Sequence, residues 1–400
     1  MLRTSGGIDG SAWPLVLAAT LAASGCGGDP YRTLTPFERH IYLEPTPVAT
    51  ALAFTRAVAG FDASCMLGGD GQAWCWGRNE DGALGAVTTS TCMGGNVPCT
   101  WQPVASQATL RFADFSIAQR HGCGIDTAGQ AWCWGFGQGG QLGDGQRTDS
   151  RAPVRVAGKH DFAAIDAGRV EMLSCALDRA GAAWCWGPAG GGALGNGTTD
   201  AAAEPVQVLA AQPFTSVGAG DGFACALDAS GQAWCWGTNH YGRLGLGRAG
   251  AATLPEAVVD GHHFVQLAVG GQHACGLDTA GQAWCWGFAG SLGDGSGQPQ
   301  HSDRPVAVAG GHVFTRLWAG YQHNCALKSD GQAWCWGPMG VLLGFGSEAN
   351  PTSPVAVVGG HRFRTLAVGG VATCGITQAG QPLCWGMNNT GAVGQSNVDP

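Results

Sequence analysis

The residues that could carry chemistry in this chain are cysteines that recur at fixed spacing. Seven pairs lie ten positions apart: Cys65–Cys75, Cys123–Cys133, Cys175–Cys185, Cys225–Cys235, Cys275–Cys285, Cys325–Cys335 and Cys374–Cys384. A further pair, Cys92–Cys99, lies inside an insertion. Zinc sites usually place paired ligands about two to four residues apart. The spacing therefore favours disulfides, as expected of an exported chain with evenly patterned cysteines.

Each regular pair also fits the geometry of a β-hairpin. Folding the segment from Cys225 to Cys235 about Ser230 places Leu227 opposite Ala233 and the two cysteines opposite each other. Directly opposed Cα atoms of antiparallel strands lie about 4.5–5.5 Å apart, which is within the roughly 4.4–6.8 Å that a disulfide spans. The sequence therefore predicts one disulfide inside each hairpin.

Histidines offer a second possible chemistry, because three of them share one repeat position. His121, His273 and His323 each stand two residues before the first cysteine of a pair. Three equivalent imidazoles that converged on an axis could bind a metal. Ala, Leu and Phe fill the position in the other repeats and no carboxylate recurs beside it. This pattern favours structural histidines, with no metal and no cofactor. Another set precedes a recurring Phe and is expected in exposed turns: His160, His262, His263, His312 and His361.

The sequence contains none of the common catalytic motifs. Gly-x-Ser-x-Gly, the phosphate-binding loop and His-Glu-x-x-His are all missing. Asp178, Asp228 and Asp278 recur where a hairpin turn begins, and Asp is a frequent turn-former. We therefore expect a protein that is not an enzyme. The net charge of −8, with no basic stripe, argues against a nucleic-acid partner.

The cysteine pairs belong to a unit of about 50 residues that recurs seven times. Each unit contains the hairpin, a glycine-rich turn, a Pro-Val strand and a Phe-x-x-Val/Leu-x-Ala/Val-Gly segment. Four short strands in a repeated unit predict a blade of a β-propeller. The last unit ends before its Pro-Val strand, and matching segments lie at Pro47–Val48 and Phe54–Gly60. We therefore expect these N-terminal strands to complete the seventh blade and remove the open sheet edges.

The order of residues in the repeat resembles that of the regulator of chromosome condensation family. Gly270-Gly271-Gln272-His273-Ala274-Cys275-Gly276-Leu277 shows the first part of that pattern, followed by Trp-Gly, Gly-x-Leu-Gly and Pro-Val. The resemblance covers about residues 46–400. It implies an all-β, seven-bladed β-propeller of four-stranded blades, closed by pairing of the N- and C-terminal segments. It does not imply one activity, because a single fold hosts many functions.

The start of the chain has the features of a targeting segment. The apolar run from Trp13 to Ala23 is too short to span a bilayer and suits a signal peptide. The sequence Ala23-Ser24-Gly25-Cys26 resembles a bacterial lipoprotein cleavage box, in which Cys26 is lipidated; an ordinary secretory signal is the alternative. We therefore predict a signal peptide over 1–25, the lipidated Cys26 with a flexible tether over 26–45, and the propeller over 46–400.

Binding residues are expected where the repeat is irregular. Blade one contains an insertion from Val87 to Trp101 that Cys92–Cys99 closes, and a shorter extension follows Gly168. Loops on a rigid scaffold often carry binding residues, and a stapled loop loses less entropy on binding. Neutral variation in a tolerant loop is the alternative. The candidate contact residues are Met93, Asn96, Trp101, Arg169 and Glu171.

Together these observations predict a monomeric, non-catalytic binding or scaffold protein at the bacterial outer membrane or cell surface. It would hold a protein or glycan through its propeller loops and touch the membrane only through its lipid anchor. One alternative is a secreted inhibitor of a hydrolase, similar to the seven-bladed β-lactamase inhibitor with related repeats. Another is guanine nucleotide exchange on a Ran-type GTPase, which the family resemblance alone implies.

Overall fold

Seven antiparallel sheets form the ring in the computed structural model, which describes residues 41–92, 97–107, 109–170, 173–297 and 300–395. Six of the sheets have four strands, and the sheet of blade one has five. This arrangement confirms the predicted all-β, seven-bladed propeller. Within the described ranges, no helix is long and apolar enough to cross a membrane.

The strands follow one another blade by blade. The first strand is β1 (Ile41–Pro47). Blade one contains β2 (Phe54–Ala59), β3 (Ala63–Gly68), β4 (Ala73–Arg78), β5 (Ser90–Cys92) and β6 (Val97–Ser106). Blade two contains β7 (Phe112–Ile117), β8 (His121–Asp126), β9 (Ala131–Gly135) and β10 (Ser150–Arg155). Blade three contains β11 (Phe162–Ala167), β12 (Ser174–Asp178), β13 (Ala183–Gly187) and β14 (Ala202–Gln207).

The second half of the ring repeats this order. Blade four contains β15 (Phe214–Ala219), β16 (Phe223–Asp228), β17 (Ala233–Gly237) and β18 (Ala252–Ala257). Blade five contains β19 (Phe264–Val269), β20 (His273–Asp278), β21 (Ala283–Gly287) and β22 (Ser302–Ala307). Blade six contains β23 (Arg316–Ala319), β24 (Asn324–Leu327), β25 (Ala333–Trp336) and β26 (Val355–Ala356). Blade seven contains β27 (Phe363–Val368), β28 (Ala372–Thr377) and β29 (Pro382–Met387). Short 3-10 turns lie at Gly190–Gly192, His240–Gly242, Val259–Gly261, Ala289–Ser291 and Gly340–Leu342.

The hairpin at the centre of each blade has the predicted register. In blade four, Cys225 pairs with Cys235 and Leu227 with Ala233. All seven cysteine pairs spaced ten residues apart lie at disulfide distance, with their Cα atoms 4.1 Å apart. The predicted disulfide in each repeat is therefore confirmed. Cys92 and Cys99 also lie at disulfide distance, with a Cα separation of 5.8 Å.

The ring closes through the first strand and the last. Strand β1 pairs with β29 in blade seven, with Ile41 opposite Met387 and Pro47 opposite Leu383. Residues 41–45, which precede the expected boundary at residue 46, belong to this strand. The expectation that Phe54–Gly60 also completes blade seven is wrong. Strand β2 pairs with β3, which follows it after a short connection, and so forms the inner edge of blade one.

Neighbouring blades pack through the second tryptophan of each Trp-Cys-Trp-Gly motif. These seven indoles are fully buried: Trp76, Trp134, Trp186, Trp236, Trp286, Trp336 and Trp385. Most donate their N–H to a carbonyl of the preceding blade, as Trp236 does to Ala193 at 3.0 Å. Trp76 donates to Ala392 of blade seven at 2.9 Å, so the same contact also joins the two ends of the ring.

The two ends of the ring differ in the connections that they carry. On the loop face lie the connections from each inner strand to the hairpin and the glycine-rich loops after the hairpin, as at Ala219–Ala224 and Gly237–Ala252 of blade four. On the turn face lie the hairpin turns and the connections to the next blade. The seven inner strands line a central channel of about 320 Å³.

Candidate functional site

The repeated aspartates are structural. The Asp228 carboxylate accepts hydrogen bonds from the Ser230 and Gln232 backbone N–H groups at 2.8 and 3.1 Å and from the Trp234 indole at 2.9 Å. Burial opposes ionisation, but a hydrogen bond from the Ser230 hydroxyl at 2.6 Å, together with these bonds, holds the pKa of Asp228 below its ordinary value. Asp126, Asp178 and Asp278 make the same bond to their tryptophans. The turn-forming role is as predicted, while the contact with the indole is not evident from the sequence.

The three equivalent histidines join neighbouring blades. The Nε2 atoms of His121, His273 and His323 lie 2.9, 2.7 and 2.8 Å from Ser174, Asn324 and Thr373 of the following blade. Burial lowers their pKa values to about 3, 4 and 3, so all three rings are neutral near pH 7. Each ring therefore makes a contact between two blades. In the described part of the chain, no group of three His, Cys, Asp or Glu side chains could hold a metal ion.

The second set of histidines differs from the expected exposed turns. His160, His262 and His312 are half-buried. Their ring centroids lie 4.2, 4.1 and 4.1 Å from those of Trp184, Trp284 and Trp334. His361 is also half-buried, with its ring 6.1 Å from that of Phe363, whereas His263 is exposed as predicted. The first tryptophan of the motif is only partly covered by its own blade, so the histidine of the adjoining connection packs over it.

Arg169 lies in the channel and not on an exposed loop. Its guanidinium donates to the carbonyls of Ala59 at 2.8 Å and of Ala319 at 3.1 Å, on blades one and six. Its backbone carbonyl accepts the Gln119 N–H at 3.1 Å, which fixes the segment. Arg169 therefore crosses the loop-face end of the channel and serves first as a contact within the ring.

The other predicted contact residues divide into two groups. Trp101 is half-buried and packs against Gly391 of blade seven, where an added Cβ would lie 3.1 Å from the indole. It therefore contributes to the closure of the ring. Met93, Asn96 and Glu171 lie outside the described residues, as does Cys26.

The insertion of blade one stands on the loop face. Strand β5 pairs with β6, which continues past the end of the ring so that Cys99 lies opposite Arg78. Fourteen residues, 86–99, separate Gly85 from Thr100, whereas six, 144–149, separate the equivalent Gly143 from Ser150 of blade two. Val87 is 90% exposed. The insertion therefore presents a disulfide-closed projection beside an exposed apolar side chain.

The loop-face end of the channel is closed and its middle is polar. Besides Arg169, the rings of Phe61 and Tyr321 meet edge to face there with centroids 5.0 Å apart. Deeper inside, Asp166 accepts hydrogen bonds from the Ser116 hydroxyl at 3.0 Å and from the Ala219 N–H at 2.9 Å. Burial raises the pKa of Asp166, while Arg169 opposes that rise. The channel is therefore a pocket with one accessible end.

The accessible end is a funnel on the turn face, with a volume of about 730 Å³. Its wall includes Arg56, Arg316 and Arg364 from blades one, six and seven, together with Trp318. The sequence analysis did not identify these residues. The available signal was the third position of each Phe-x-x segment, which is Asp, Ala, Ser, Gln or Thr in the remaining blades but Arg at 56 and 316.

Comparison with known sequences identifies the repeat. Profiles described as the regulator of chromosome condensation (RCC1) repeat match residues 70–125, 128–176, 180–227 and 230–277, which is more than half of the chain. A second profile of that description matches residues 54–83, 214–243, 264–294 and 319–337. A stretch of 133 residues is 29% identical to the E3 ubiquitin-protein ligase HERC2 of Homo sapiens. That stretch is 33% of this chain but only 3% of the ligase.

Solved structures share the architecture at low sequence identity. Human WBSCR16 superposes with a TM-score of 0.74 and 19% identity, over 90% of this chain and 94% of that one. Yeast RCC1 (Prp20), in its complex with Kap60, gives a TM-score of 0.69 and 16% identity, over 93% and 96% of the two chains. The ectodomain of the Physcomitrella patens receptor kinase CR4 gives 0.53 and 22%, over 84% and 73%. At these identities the similarity establishes the fold alone.

Proposed function

Because the chain belongs to the regulator of chromosome condensation repeat family, we propose that it is a non-catalytic binding protein whose loop face recognises a protein partner. The insertion of blade one carries this proposal. It has eight more residues than the equivalent loop of blade two, it is closed by Cys92–Cys99, and it projects from an otherwise regular ring. A disulfide across a projecting loop reduces the entropy that binding must remove.

The polar side chains that recur in the repeat support a binding role over a catalytic one. The aspartates hold turns and indoles, as Asp228 does for Trp234. The buried histidines hold the adjacent blade, as His323 does through Thr373. Side chains that are already engaged in these structural hydrogen bonds do not provide a free acid, base or nucleophile. The recurring positions therefore account for the scaffold and leave recognition to the irregular ones.

The proposed location is the bacterial envelope, through lipidation of Cys26. Strand β1 begins on the loop face, because Ile41 lies opposite Met387 at the end of β29. Ile41 therefore lies on the same face as the insertion and in the blade next to it. Radiolabelled palmitate should enter the wild type but not Cys26→Ser, which should be released from the membrane fraction. Equal labelling of both proteins would contradict the lipid anchor.

The related proteins agree with a protein partner without identifying one. Yeast Prp20 is described as bound to Kap60 and as binding Gsp1p and histones. We propose a protein partner for this chain by analogy with those complexes, and a glycan is the alternative. Inhibition of a hydrolase would require a tight complex with one enzyme. An exchange-factor role would require capture of a GTPase.

The decisive experiment replaces the insertion by the short loop of blade two. In the test variant, residues 86–99 are exchanged for Asp-Gly-Gln-Arg-Thr-Asp, the sequence of 144–149. The control exchanges 196–201 of blade three, which has the same length, for the same six residues. Crosslinking and affinity capture from intact cells should recover a specific protein with the wild type and the control but not with the test variant. An unchanged capture set would contradict the proposal, and loss of capture after glycosidase treatment would favour the glycan.

A further inference from the structure

The funnel on the turn face gathers positive charge against the trend of the whole chain. The chain has 20 Lys and Arg residues against 28 Asp and Glu, giving a net charge of −8. Nevertheless, three arginines from consecutive blades line this funnel, and its lining contains no carboxylate. Asp114, which lines the channel, pairs with Arg56. A concave surface of one sign concentrates field and attracts ligands of the opposite charge.

The three guanidinium groups differ in how far the protein already satisfies them. Arg56 forms an ion pair with Asp114, and Arg364 donates to the carbonyl of Phe54. Arg316 is exposed, and its guanidinium makes no hydrogen bond or ion pair with any residue in the described part of the chain. Arginine presents several N–H donors in a planar arrangement that matches carboxylate and phosphate oxygens. Arg316, supported by Arg364, therefore offers free donors to an anion in the funnel.

An apolar surface lies directly below these arginines. The half-buried Trp318 lines both the funnel and the channel, so it stands where the two meet. Val265, which is 59% exposed, lies on the rim. Indole provides a large rigid surface for a planar or apolar group. The polar amide of Gln266 is already bonded to the backbone of Leu317, at 2.7 and 3.0 Å, and leaves this surface uninterrupted.

We propose that the funnel is a binding site for a small organic oxyanion, whose carboxylate or phosphate group lies between Arg316 and Arg364 and whose planar or apolar body packs on Trp318. The channel below is about 320 Å³ and closed by Arg169, which limits the ligand to a compact molecule. This site lies on the opposite face from the insertion and does not depend on the proposed protein partner.

The test uses the complete propeller and four probes: phenyl phosphate, benzoate, inorganic phosphate and the neutral benzyl alcohol. Calorimetry should show one site for an aromatic anion, with affinity that falls as ionic strength rises. The affinities for phenyl phosphate and benzoate show whether the site prefers phosphate or carboxylate. The difference in affinity between phenyl phosphate and inorganic phosphate measures the contribution of the phenyl group. The indole N–H signal that disappears in Trp318→Phe should shift on titration of the wild type with the binding anion.

The variants take residues that the fold already uses at equivalent positions. Arg316→Ser copies Ser216 of blade four and should weaken binding of the aromatic anion by about tenfold, the equivalent of one charge-assisted hydrogen bond. Arg364→Thr copies Thr215 and should weaken it less, because Arg364 is partly engaged with Phe54. Arg304→Ala, on the outer strand of blade five, is the matched control and should bind normally. The short-loop variant of blade one should also bind normally.

Several outcomes would overturn the site. These are equal affinity for benzyl alcohol and the anions, unchanged affinity in Arg316→Ser, or neither heat nor a shift of the Trp318 signal with any probe at millimolar concentration. A near-ultraviolet circular dichroism spectrum identical to that of the wild type shows that Arg316→Ser is folded. Failure of partner capture with normal anion binding would contradict the proposed function alone.

Discussion

Blades four and six have the same backbone plan but use it differently. Equivalent residues are a hundred positions apart, so Cys225–Cys235 corresponds to Cys325–Cys335 and Trp236 to Trp336. In both blades the second tryptophan is fully buried and donates its N–H to a carbonyl of the preceding blade. The residues that hold a blade to its neighbour are therefore the same in the two.

The two blades diverge where side chains face the channel or the turn. The Asp228 carboxylate of blade four binds the Trp234 indole, whereas in blade six Lys328 lies over Trp334, with its Nζ atom 4.4 Å from the ring centroid. The Trp334 N–H has no hydrogen-bond partner among the described residues. Ser216 and Gly218 of blade four are replaced by Arg316 and Trp318 in blade six. Blade six thus gives up contacts within the blade and presents charged and aromatic side chains to the funnel.

The largest expected effect concerns a position that the blades share. Trp236→Ala and Trp336→Ala should each lower the free energy of unfolding by about 3–5 kcal/mol, because each leaves a large buried cavity. Equilibrium denaturation in guanidinium under oxidising conditions measures both. The two losses should be similar, and a loss in one blade several times that in the other would contradict the equivalence of the interfaces.

The hairpin disulfides should come next in size. Changing both cysteines of a pair to Ala, at Cys225 and Cys235 or at Cys325 and Cys335, should cost about 2–3 kcal/mol by the chain-entropy estimate for such short loops. The same denaturation experiment applies, with mass measurement of free thiols as a control for pairing. Wild-type stability in either double variant would show that the bond does not constrain the unfolded chain as expected.

The buried histidine of blade six should make stability depend on pH, whereas blade four has Phe223 at that position. Burial lowers the pKa of His323 from 6.5 to about 3. Below pH 6.5 the imidazole is protonated more readily in the unfolded chain than in the folded one. The folded state is therefore most stable above pH 6.5 and loses stability as the pH falls toward about 3. The loss for one such group is about 2 kcal/mol at pH 5.

His323→Phe should therefore reduce the difference in unfolding free energy between pH 7.5 and pH 5 by about that amount, whatever its effect at pH 7.5. Phe223→Leu, which removes no titratable group, is the control and should keep the wild-type pH dependence. If His323→Phe keeps the pH dependence of the wild type, the imidazole of His323 in the wild type is already protonated, or exposed to solvent, near pH 5.

The turn of blade four should depend on its carboxylate. Asp228→Ala removes the acceptor of two backbone N–H groups, of the Ser230 hydroxyl and of the Trp234 indole, and should cost about 1–2 kcal/mol. The pKa of Asp228 is lowered in the fold because these bonds outweigh burial, so its contribution is present above about pH 4 and is lost at lower pH. Lys328→Ala in blade six should cost less, about 0.5–1 kcal/mol, because a cation–π contact that solvent partly reaches is weak. Equal losses of unfolding free energy in the two variants would contradict the proposed difference between the turns of blades four and six.

The last expected effect is a gain in stability. Blade six carries Lys328 and Asp330 where blade four carries Asp228 and Ser230. Combining Lys328→Asp with Asp330→Ser recreates the turn of blade four and gives the Trp334 indole an acceptor. The free energy of unfolding should rise by about 1 kcal/mol, and the Trp334 N–H resonance should move downfield. No change in that resonance would show that the introduced carboxylate does not bind the indole N–H.

The repeat positions explain how much of the fold the sequence predicts. Cysteines ten residues apart with a glycine between them define the hairpin, and their register follows from counting along the strands. The structural role of His121, His273 and His323 was predicted from their shared repeat position, beside which no carboxylate recurs. The pairing of an N-terminal strand with blade seven was predicted correctly. The assignment of Phe54–Gly60 to that blade was wrong, because each blade begins with the Phe-x-x strand and only the strand before it belongs to the preceding blade.

The funnel could not be predicted in the same way, because its residues are far apart in sequence. Arg56 and Arg316 become neighbours only when the ring brings blades one, six and seven together. Arg169 looked like an exposed loop residue because two inserted positions suggest a surface bulge, whereas its long side chain reaches the carbonyls of Ala59 and Ala319 across the axis. Departures from the repeat identify positions that differ from their equivalents in other blades. Which of these positions face one another is evident only in the closed ring.

The pairing of β1 with β29 has a consequence for how the molecule is made. A chain produced from its N-terminus presents Ile41 first and its partner Met387 among the last residues of the ring. Each cysteine pair, only ten positions apart, can oxidise soon after it emerges. Folding should therefore begin with local disulfide formation in each hairpin. It should end with one late step, in which β1, synthesised first, pairs with β29 of the last blade.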